Sequence, residues 1–406
     1  MPHSLRLLTR DARLLFASRV VRMFAYGFLS VVLVLYLAAV GLTDRRIGVL
    51  LTLTLAGDVA ISLYLTTHAD RIGRKRTLLA GALLMIAAGA VFAGGSGFLV
   101  LVVAATVGVI SPSGNEVGPF LPIEQVAISQ TVDSSSRTWL FAWYNLIGSF
   151  ATALGALAAG GLAGLLIRHG APPVSAYRTP IIGYAFLGCL LAVIFARLSP
   201  SIEADRDAAA GKGFHVQRSR GVVARLSALF ALDSFAGGMV VQSIVAFWFV
   251  HRFGVRPETL GAIFFGANVF AGISALLAAR IAARIGLLNT MVATHLPSNV
   301  LLLLIPLMPN LGLAITVLLM RFSISQMDVP TRQSYVMAVV DPAERTAAAG
   351  ITGVARTVGA ALAPLIAMPL IASANMDWVP FVAAGVLKIV YDLILLISSR
   401  HVKLEG

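Results

Sequence analysis

The chain has 406 residues, of which 58% are hydrophobic and 12% charged, with a mean hydropathy of +0.89. An ordinary soluble domain carries about 25% charged residues, so this chain has too little charge to cover a water-exposed surface of its size. The net charge of +13 does not imply nucleic acid, because the arginines sit between long apolar runs and not along one soluble face, and a single cysteine, Cys189, excludes a disulfide framework and a Cys-based zinc or iron–sulfur site.

A hydrocarbon core of ~30 Å takes ~20 apolar residues in a helix. Twelve stretches meet that requirement, at approximately 14–40, 47–69, 77–95, 98–118, 138–167, 180–198, 226–250, 258–279, 287–308, 311–335, 347–372 and 379–399. Helices are expected because open strands leave backbone groups unpaired in lipid, and the short alternating segments of a barrel are absent. The first span is too long for a signal peptide and contains Arg19 and Arg22, so the N-terminus is expected to be retained. The predicted fold class is all-α integral membrane. Basic residues crowd alternate connections: Arg71, Arg74, Lys75 and Arg76 between spans 2 and 3, and Arg206, Lys212, Arg218, Arg220 and Arg225 in the central one. The positive-inside rule then puts both termini in the cytoplasm.

In chain order, span 1 carries Arg19, Arg22 and Tyr26, spaced three and four apart and so on one helical face. Span 2 carries Asp58. The connection after it reads Thr66-Thr67-His68-Ala69-Asp70-Arg71-Ile72-Gly73-Arg74-Lys75-Arg76. Span 4 ends in Pro112, Gly114, Asn115, Glu116, Gly118, Pro119, Pro122 and Glu124. An unbroken helix is impossible there, since an internal proline removes a backbone bond and clashes with the preceding turn. A hinge or binding element lined by Glu116 is the functional reading, and a kink at a helix about to stop is the bland one. Span 5 has Gly148, Gly155, Gly160 and Gly161, small residues that suit close packing of helices. The polar stretch 199–225 separates residues 1–198 from 226–406, six spans each. Span 7 holds Asp233, Ser234 and Gln242; span 10 holds Arg321, Asp328 and Arg332; span 11 holds Arg356; span 12 holds Lys388 and Asp392, four apart and expected to satisfy each other. Arg19, Glu124 and Arg332 are expected near the cytoplasmic mouth, with their heads snorkelling into water.

The halves repeat. Arg71-Ile72-Gly73 and Thr77 recur as Arg284-Ile285-Gly286 and Thr290, and Gly41 and Gly48 as Gly254 and Gly261. Pro122, Gln125, Asp133, Arg137 and Thr138 recur as Pro330, Gln333, Asp341, Arg345 and Thr346. Parallel halves of this kind place a binding site at their interface near the bilayer midplane.

The segment Asp70-Arg71-Ile72-Gly73-Arg74-Lys75 closely resembles the loop signature of the major facilitator superfamily, with Thr66 where a glycine is usual. Together with twelve spans and the duplication, the resemblance covers essentially the whole chain. It implies two pseudo-symmetric six-helix bundles with spans 1, 4, 7 and 10 lining a central cavity. It also implies a conformational switch at Asp70, Arg71, Gly73 and Arg74, with Asp70 docking on the first turn of span 11. Lys75 and Arg76 are read as positive-inside charge. Asp58 and Arg356 lie at matching depths, ~18 and ~16 Å from the cytoplasmic face at 1.5 Å per residue, and are expected to meet in at least one conformation. A permanent ion pair and a switching one both fit.

A charge at the helix centre costs roughly 2.5–3.5 kcal/mol, so each such residue asks for a partner or a task. Arg19, Arg22, Tyr26, Asn115, Glu116, Asp233, Gln242, Arg321 and Asp328 are the candidate cavity residues. Glu116 and Asp233 are the candidates for proton coupling, since buried carboxylates can exchange protons near neutral pH. The seven histidines are scattered near span ends or loops and read as interfacial; no metal spacing, catalytic constellation or phosphate loop stands out. The expected function is secondary active transport of a small organic solute, not enzymatic, with no cofactor and the proton gradient as energy source. Efflux by antiport is the first direction and symport of a small organic anion the second. A non-transporting receptor or assembly partner on the same scaffold is the alternative from another class. The expected partners are the solute and the lipid bilayer of the cytoplasmic membrane, with no nucleic acid and a monomeric working unit.

Overall fold

The structure is a computed structural model that describes residues 9–95, 97–129, 134–203, 217–341 and 344–399; nothing is described of the side chains of 134–139 and 346. Arg206 and Lys212, Asp133, and the side chains of Arg137, Thr138 and Thr346 lie outside the described residues.

The described residues form α-helices in the order α1 (Arg10–Ala39), α2 (Asp44–Ile72), α3 (Arg74–Ala93), α4 (Phe98–Val107), α5 (Phe120–Ser129), α6 (Ser134–Arg168), α7 (Pro173–Ala196), α8 (Arg220–Gly238), α9 (Gln242–Phe253), α10 (Pro257–Ile285), α11 (Leu287–Leu304), α12 (Leu311–Ser325), α13 (Asp328–Val339), α14 (Arg345–Ile371) and α15 (Val379–Ser399). Eleven continuous or near-continuous segments among them are long and apolar enough to cross a membrane. The twelfth predicted span is the broken one, α4 followed by α5. Spans 7 and 10 are each also two helices, α8–α9 and α12–α13.

Local chemistry sets many of the ends. The Thr9 hydroxyl caps α1 by accepting from Ala12 N at 3.2 Å, and Asn310 caps α12 by accepting from Leu313 N at 3.0 Å. Pro173 opens α7, where a missing N–H costs nothing. This starts span 6 seven residues earlier than the predicted Pro180, which the helix carries internally. At the repeated Arg-Ile-Gly, Gly73 and Gly286 have φ of 105° and 84°, a conformation that only glycine adopts without strain. Both sit between two helices, α2–α3 and α10–α11, so the duplicated sequence makes duplicated geometry.

The chain divides into two compact units. Unit 1 comprises Met1–Thr43, Ala56–Gly211 and Arg256–Phe265; unit 2 comprises Asp44–Leu55, Lys212–Val255 and Gly266–Gly406. In unit 1, α1 and α6 approach so closely that a Cβ on Gly27 would overlap the Thr152 backbone, and one on Gly155 the Phe24 backbone. Unit 2 repeats the device between α8 and α14, with Gly238 against Ala360 and Gly359 against Ala231. Small residues serve this purpose because lipid supplies no hydrophobic drive between helices, so close packing must hold them. Gly48 and Gly261, equivalent in the repeat, also do one job: Gly48 lies against the Pro364 carbonyl in unit 2, and Gly261 against Ala156 and Gly160 in unit 1. Of the span-5 glycines, Gly155 and Gly160 are thereby explained as packing residues, Gly148 lies against the Arg19 side chain, and Gly161 has open space where a Cβ would sit. The core of unit 2 gathers Leu226, Phe230, Met291, Tyr335, Val336, Tyr391 and Leu395.

Candidate functional site

Each unit buries its own cluster of charge. In unit 1, Glu124 on α5 is fully buried and takes a bidentate contact from Arg22 on α1, NH1 to Oε1 at 2.7 Å and NH2 to Oε2 at 2.6 Å. Ser18 donates to it at 2.7 Å, and Tyr144 on α6 also donates to it. Arg22 Nε donates to Glu116 Oε1 at 2.7 Å, and Arg19 forms an ion pair with the same carboxylate. The Arg19 guanidinium lies 4.8 Å from the centre of the Tyr144 ring, and that of Arg22 4.7 Å from Phe120. Two arginines thus meet two glutamates, a balanced set.

The snorkelling expectation for Arg19, Glu124 and Arg332 is therefore corrected: they are 5%, 0% and 4% exposed and paired inside the protein. A long side chain reaches water only when no opposite charge lies nearer, and here one does.

The break in span 4 begins at Val107, five residues before Pro112, because the Pro112 ring would collide with the carbonyl of Gly108 in a helix. Carbonyls freed at membrane depth need donors. Tyr26 Oη donates to Val117 O at 3.0 Å, Tyr184 donates to Val109 O, and Ser111 Oγ donates to Asn115 O at 2.6 Å. Asp58 answers the opposite need: it accepts from Gly118 N at 2.7 Å and from Ser62 Oγ at 3.1 Å. The structure thus places Tyr26 and Asp58 as supports of the irregular segment, while the Asn115 residue is exposed. Arg356, the sequence-based partner of Asp58, belongs to unit 2.

In unit 2, Asp233 on α8 is met by Lys388 Nζ from α15 at 2.6 Å and by Arg332 NH1 from α13 at 3.0 Å. Arg332 also reaches Asp328 at 3.2 Å. Asp392 takes His295 Nδ1 at 2.8 Å and Asn299 Nδ2 at 2.9 Å, both from α11. The expected Lys388–Asp392 pair is thus replaced by two separate engagements: successive turns of α15 face different neighbours, and each charge takes the nearer one. His295 is 5% exposed in the core of this cluster and not interfacial. Its role was missed because nothing in sequence spacing links α11 to α15. Asp233, His295 and Asp328 hold their ligand-type atoms within 4.8 Å of one another. Lys388 and Arg332 already neutralise those carboxylates and oppose a divalent cation there.

Arg321 and Arg356 stand apart. Each has a buried Nε without a hydrogen-bond partner, and neither makes an ion pair among the described residues. Arg321 lies against the Phe322 ring at 5.3 Å. Gln242 accepts from Asn268 Nδ2 at 3.1 Å. An apolar pocket of about 310 Å³ in unit 1, lined by Val20, Trp143, Ile147, Phe150 and Leu154 among others, has no polar lining and is not the candidate site.

At the loop signature between α2 and α3, Arg74 Nε meets Asp70 at 2.8 Å and its NH1 donates to Ile202 O at 3.1 Å. Glu203 accepts from Arg74 N and Lys75 N at 2.6 and 3.2 Å, a carboxylate seated on the N-terminus of α3. Lys75 Nζ donates to Leu198 O at 2.7 Å, so beyond positive-inside charge it ties α3 to the end of α7. Unit 2 has a similar clasp: Glu344 accepts from the backbone of Gln217, Arg218 and Ser219 at 2.6–2.9 Å, just ahead of α8. Those N–H groups, Gln217 foremost, hold the Glu344 carboxyl down at about 2. Arg71 is exposed.

The family model of the Major Facilitator Superfamily matches residues 15–364. The chain is 31% identical over 419 residues to an uncharacterized membrane protein of Saccharomyces cerevisiae, YJR124C, covering 95% of this chain and 93% of the other. It is similar in fold to a bacterial homologue of the human lysosomal transporter Spinster in an inward-facing, occupied conformation, with a TM-score of 0.74, 15% identity and 96% of each chain covered. A D-xylose–proton symporter has a TM-score of 0.72 at 15% identity, over 95% of this chain and 96% of that one.

Proposed function

We propose, for a chain that belongs to the major facilitator superfamily and is a transporter of that general kind, that it moves a small organic solute across the cytoplasmic membrane by alternating access of two six-helix halves. Proton-coupled efflux is the first reading of its direction, and both termini are taken to be cytoplasmic. The working unit is taken to be a monomer that needs no cofactor and catalyses no reaction. The observation that carries the reading is the burial of paired charge on membrane-spanning helices: Arg22 with Glu124 and Glu116, and Asp233 with Lys388 and Arg332. Charge is kept at such depth where it lines a path or pairs to switch one.

Uptake of a small organic anion by proton symport is the second reading, and one observation favours its substrate class. Arg19 and Arg22 each have a glutamate, whereas Arg321 and Arg356 have no carboxylate partner. An anionic group on the solute would supply one. Purified protein in liposomes, offered organic anions, cations and neutral solutes with and without a pH gradient, tests both readings. The expected result is flux of at least one solute that follows the gradient, with the sign of coupling giving the direction. If no solute moves faster than in empty liposomes, or flux ignores the gradient, the proposal is withdrawn.

A further inference from the structure

We propose that His295 and Asp392 form a proton-binding site in unit 2 that is loaded and unloaded during the transport cycle, an inference that rests on the transporter reading above. His295 Nδ1 lies 2.8 Å from Asp392 Oδ1, and His295 Nε2 lies 3.7 Å from Asp233 Oδ1. The ring therefore bridges carboxylates from two different helices, α15 and α8. All three residues are at most 5% exposed. Asn299 Nδ2 donates to Asp392 Oδ2 at 2.9 Å and sits 3.2 Å from His295 Nδ1, fixing carboxylate and ring against each other.

The two carboxylates differ in what else they touch. Asp233 has Lys388 and Arg332 as permanent counterions. Asp392 has no Lys or Arg partner among the described residues, only the imidazole and the Asn299 amide. With His295 neutral, its one N–H faces one carboxylate and the other ring nitrogen carries no proton; an ionised Asp392 is then an unbalanced charge buried in the span. One added proton makes an imidazolium with an N–H toward each carboxylate, and Asp392 gains its counterion.

The surrounding groups make that proton exchangeable and not permanent. Asp392 and Asp233 favour it directly, and Asp328 on α13 adds a third negative charge within 4.8 Å of the ring and of Asp233. Lys388 on α15 and Arg332 on α13, both on Asp233, oppose it. Tyr391 packs edge-on to the ring at 5.9 Å, and Arg321 on α12 and Arg356 on α14 act on the same carboxylates. Asp392 apart, every other charge here is a Lys, an Arg or an Asp paired with one. Histidine is the side chain whose charge changes in the physiological range, so this ring is where the cluster can change its total. A change there alters how Asp233 divides its bonds among Lys388, Arg332 and His295, and so couples α8, α11, α13 and α15.

The full chain, labelled with ¹⁵N-histidine and held in lipid nanodiscs, tests this without knowledge of the solute. His295 is assigned by the signal lost in His295→Asn. Between about pH 5 and pH 9, the wild-type ring should pass from two protonated nitrogens to one. In Asp392→Asn, an isosteric change that keeps a hydrogen-bonding group, the doubly protonated form should need at least about tenfold more acid, the effect of one lost neighbouring charge. Unchanged signals from the other histidines certify that the variant is folded. A ring that keeps one protonation state over the whole range overturns the site, as does an Asp392→Asn protein that titrates like wild type. In liposomes with a solute found as above, Asp392→Asn should also lower gradient-driven accumulation more than about tenfold; full accumulation would remove the ring from the cycle. If the ring titrates as stated yet no solute moves, the transporter reading fails and the proton site stands.

Discussion

At the scale of single residues, burial decides which charges are structural necessities. Glu124 and Arg22 are both completely buried, so removing one leaves the other without a counterion. Arg22→Met is expected to lower stability by ~3–5 kcal/mol, and Arg22→Met with Glu124→Met together to recover part of that loss, since the pair's desolvation is then also removed. Thermal unfolding in detergent of the two variants checks both statements. Glu344 offers a pH test of the clasp ahead of α8. Its carboxyl sits at about 2 in the folded chain against an ordinary 4.5, because three backbone N–H groups donate to it. A depressed folded value means that the clasp stabilises fully above the ordinary value and is lost as pH falls through about 2. The melting-temperature gap between wild type and Glu344→Gln should therefore be constant above about pH 5 and close progressively toward pH 2. A gap that widens on acidification would remove the clasp from the account. Nothing in the sequence singled out Glu344, whereas Arg22, Glu124 and Lys388 were visible there as charges needing partners. Their partners were not: Lys388 was expected on Asp392, four residues along its own helix, and it takes Asp233 from α8 instead.

At the scale of elements, the broken span is the informative one. Three prolines and two glycines between Pro112 and Pro122 make a break unavoidable, and that much is readable without coordinates. How the break is tolerated is not, because the donors come from α1 and α7, far away in the chain. Tyr184 serves the Val109 carbonyl and Tyr26 serves Val117, each through a fully buried ring. Tyr184→Phe deletes one hydroxyl and leaves a carbonyl unpaired in a dry site, and is expected to cost about 1–3 kcal/mol. An unchanged unfolding midpoint for that variant would show that Val109 finds another donor. The corresponding span in the second half, α12–α13, breaks at Gln326–Met327 and restarts on Asp328, whose carboxylate suits a helix N-terminus.

At the scale of the whole molecule, the duplication is preserved in backbone and inverted in charge. Within unit 1 the cation comes from the first span (Arg22) and the anion from the broken one (Glu124); within unit 2 the first span supplies the anion (Asp233) and the broken one the cation (Arg332). The glycine contacts repeat without inversion, α1 on α6 and α8 on α14. Packing geometry is shared because both units solve the same problem of holding helices together in lipid. Charge is free to diverge because only the balance of each buried cluster is constrained. Unit 2 has used that freedom further, adding Lys388, His295 and Asp392 around the same ion pair.

What the sequence determined alone is whatever depends on one helix at a time: apolar length sets the spans, proline and glycine set the breaks, and the repeated Arg-Ile-Gly fixes the two junctions. The tertiary structure alone decided the pairing, because a buried charge takes whichever opposite charge is nearest in space, and in these bundles, the Asp328–Arg332 contact within α13 apart, that neighbour is from 94 to 155 residues away along the chain.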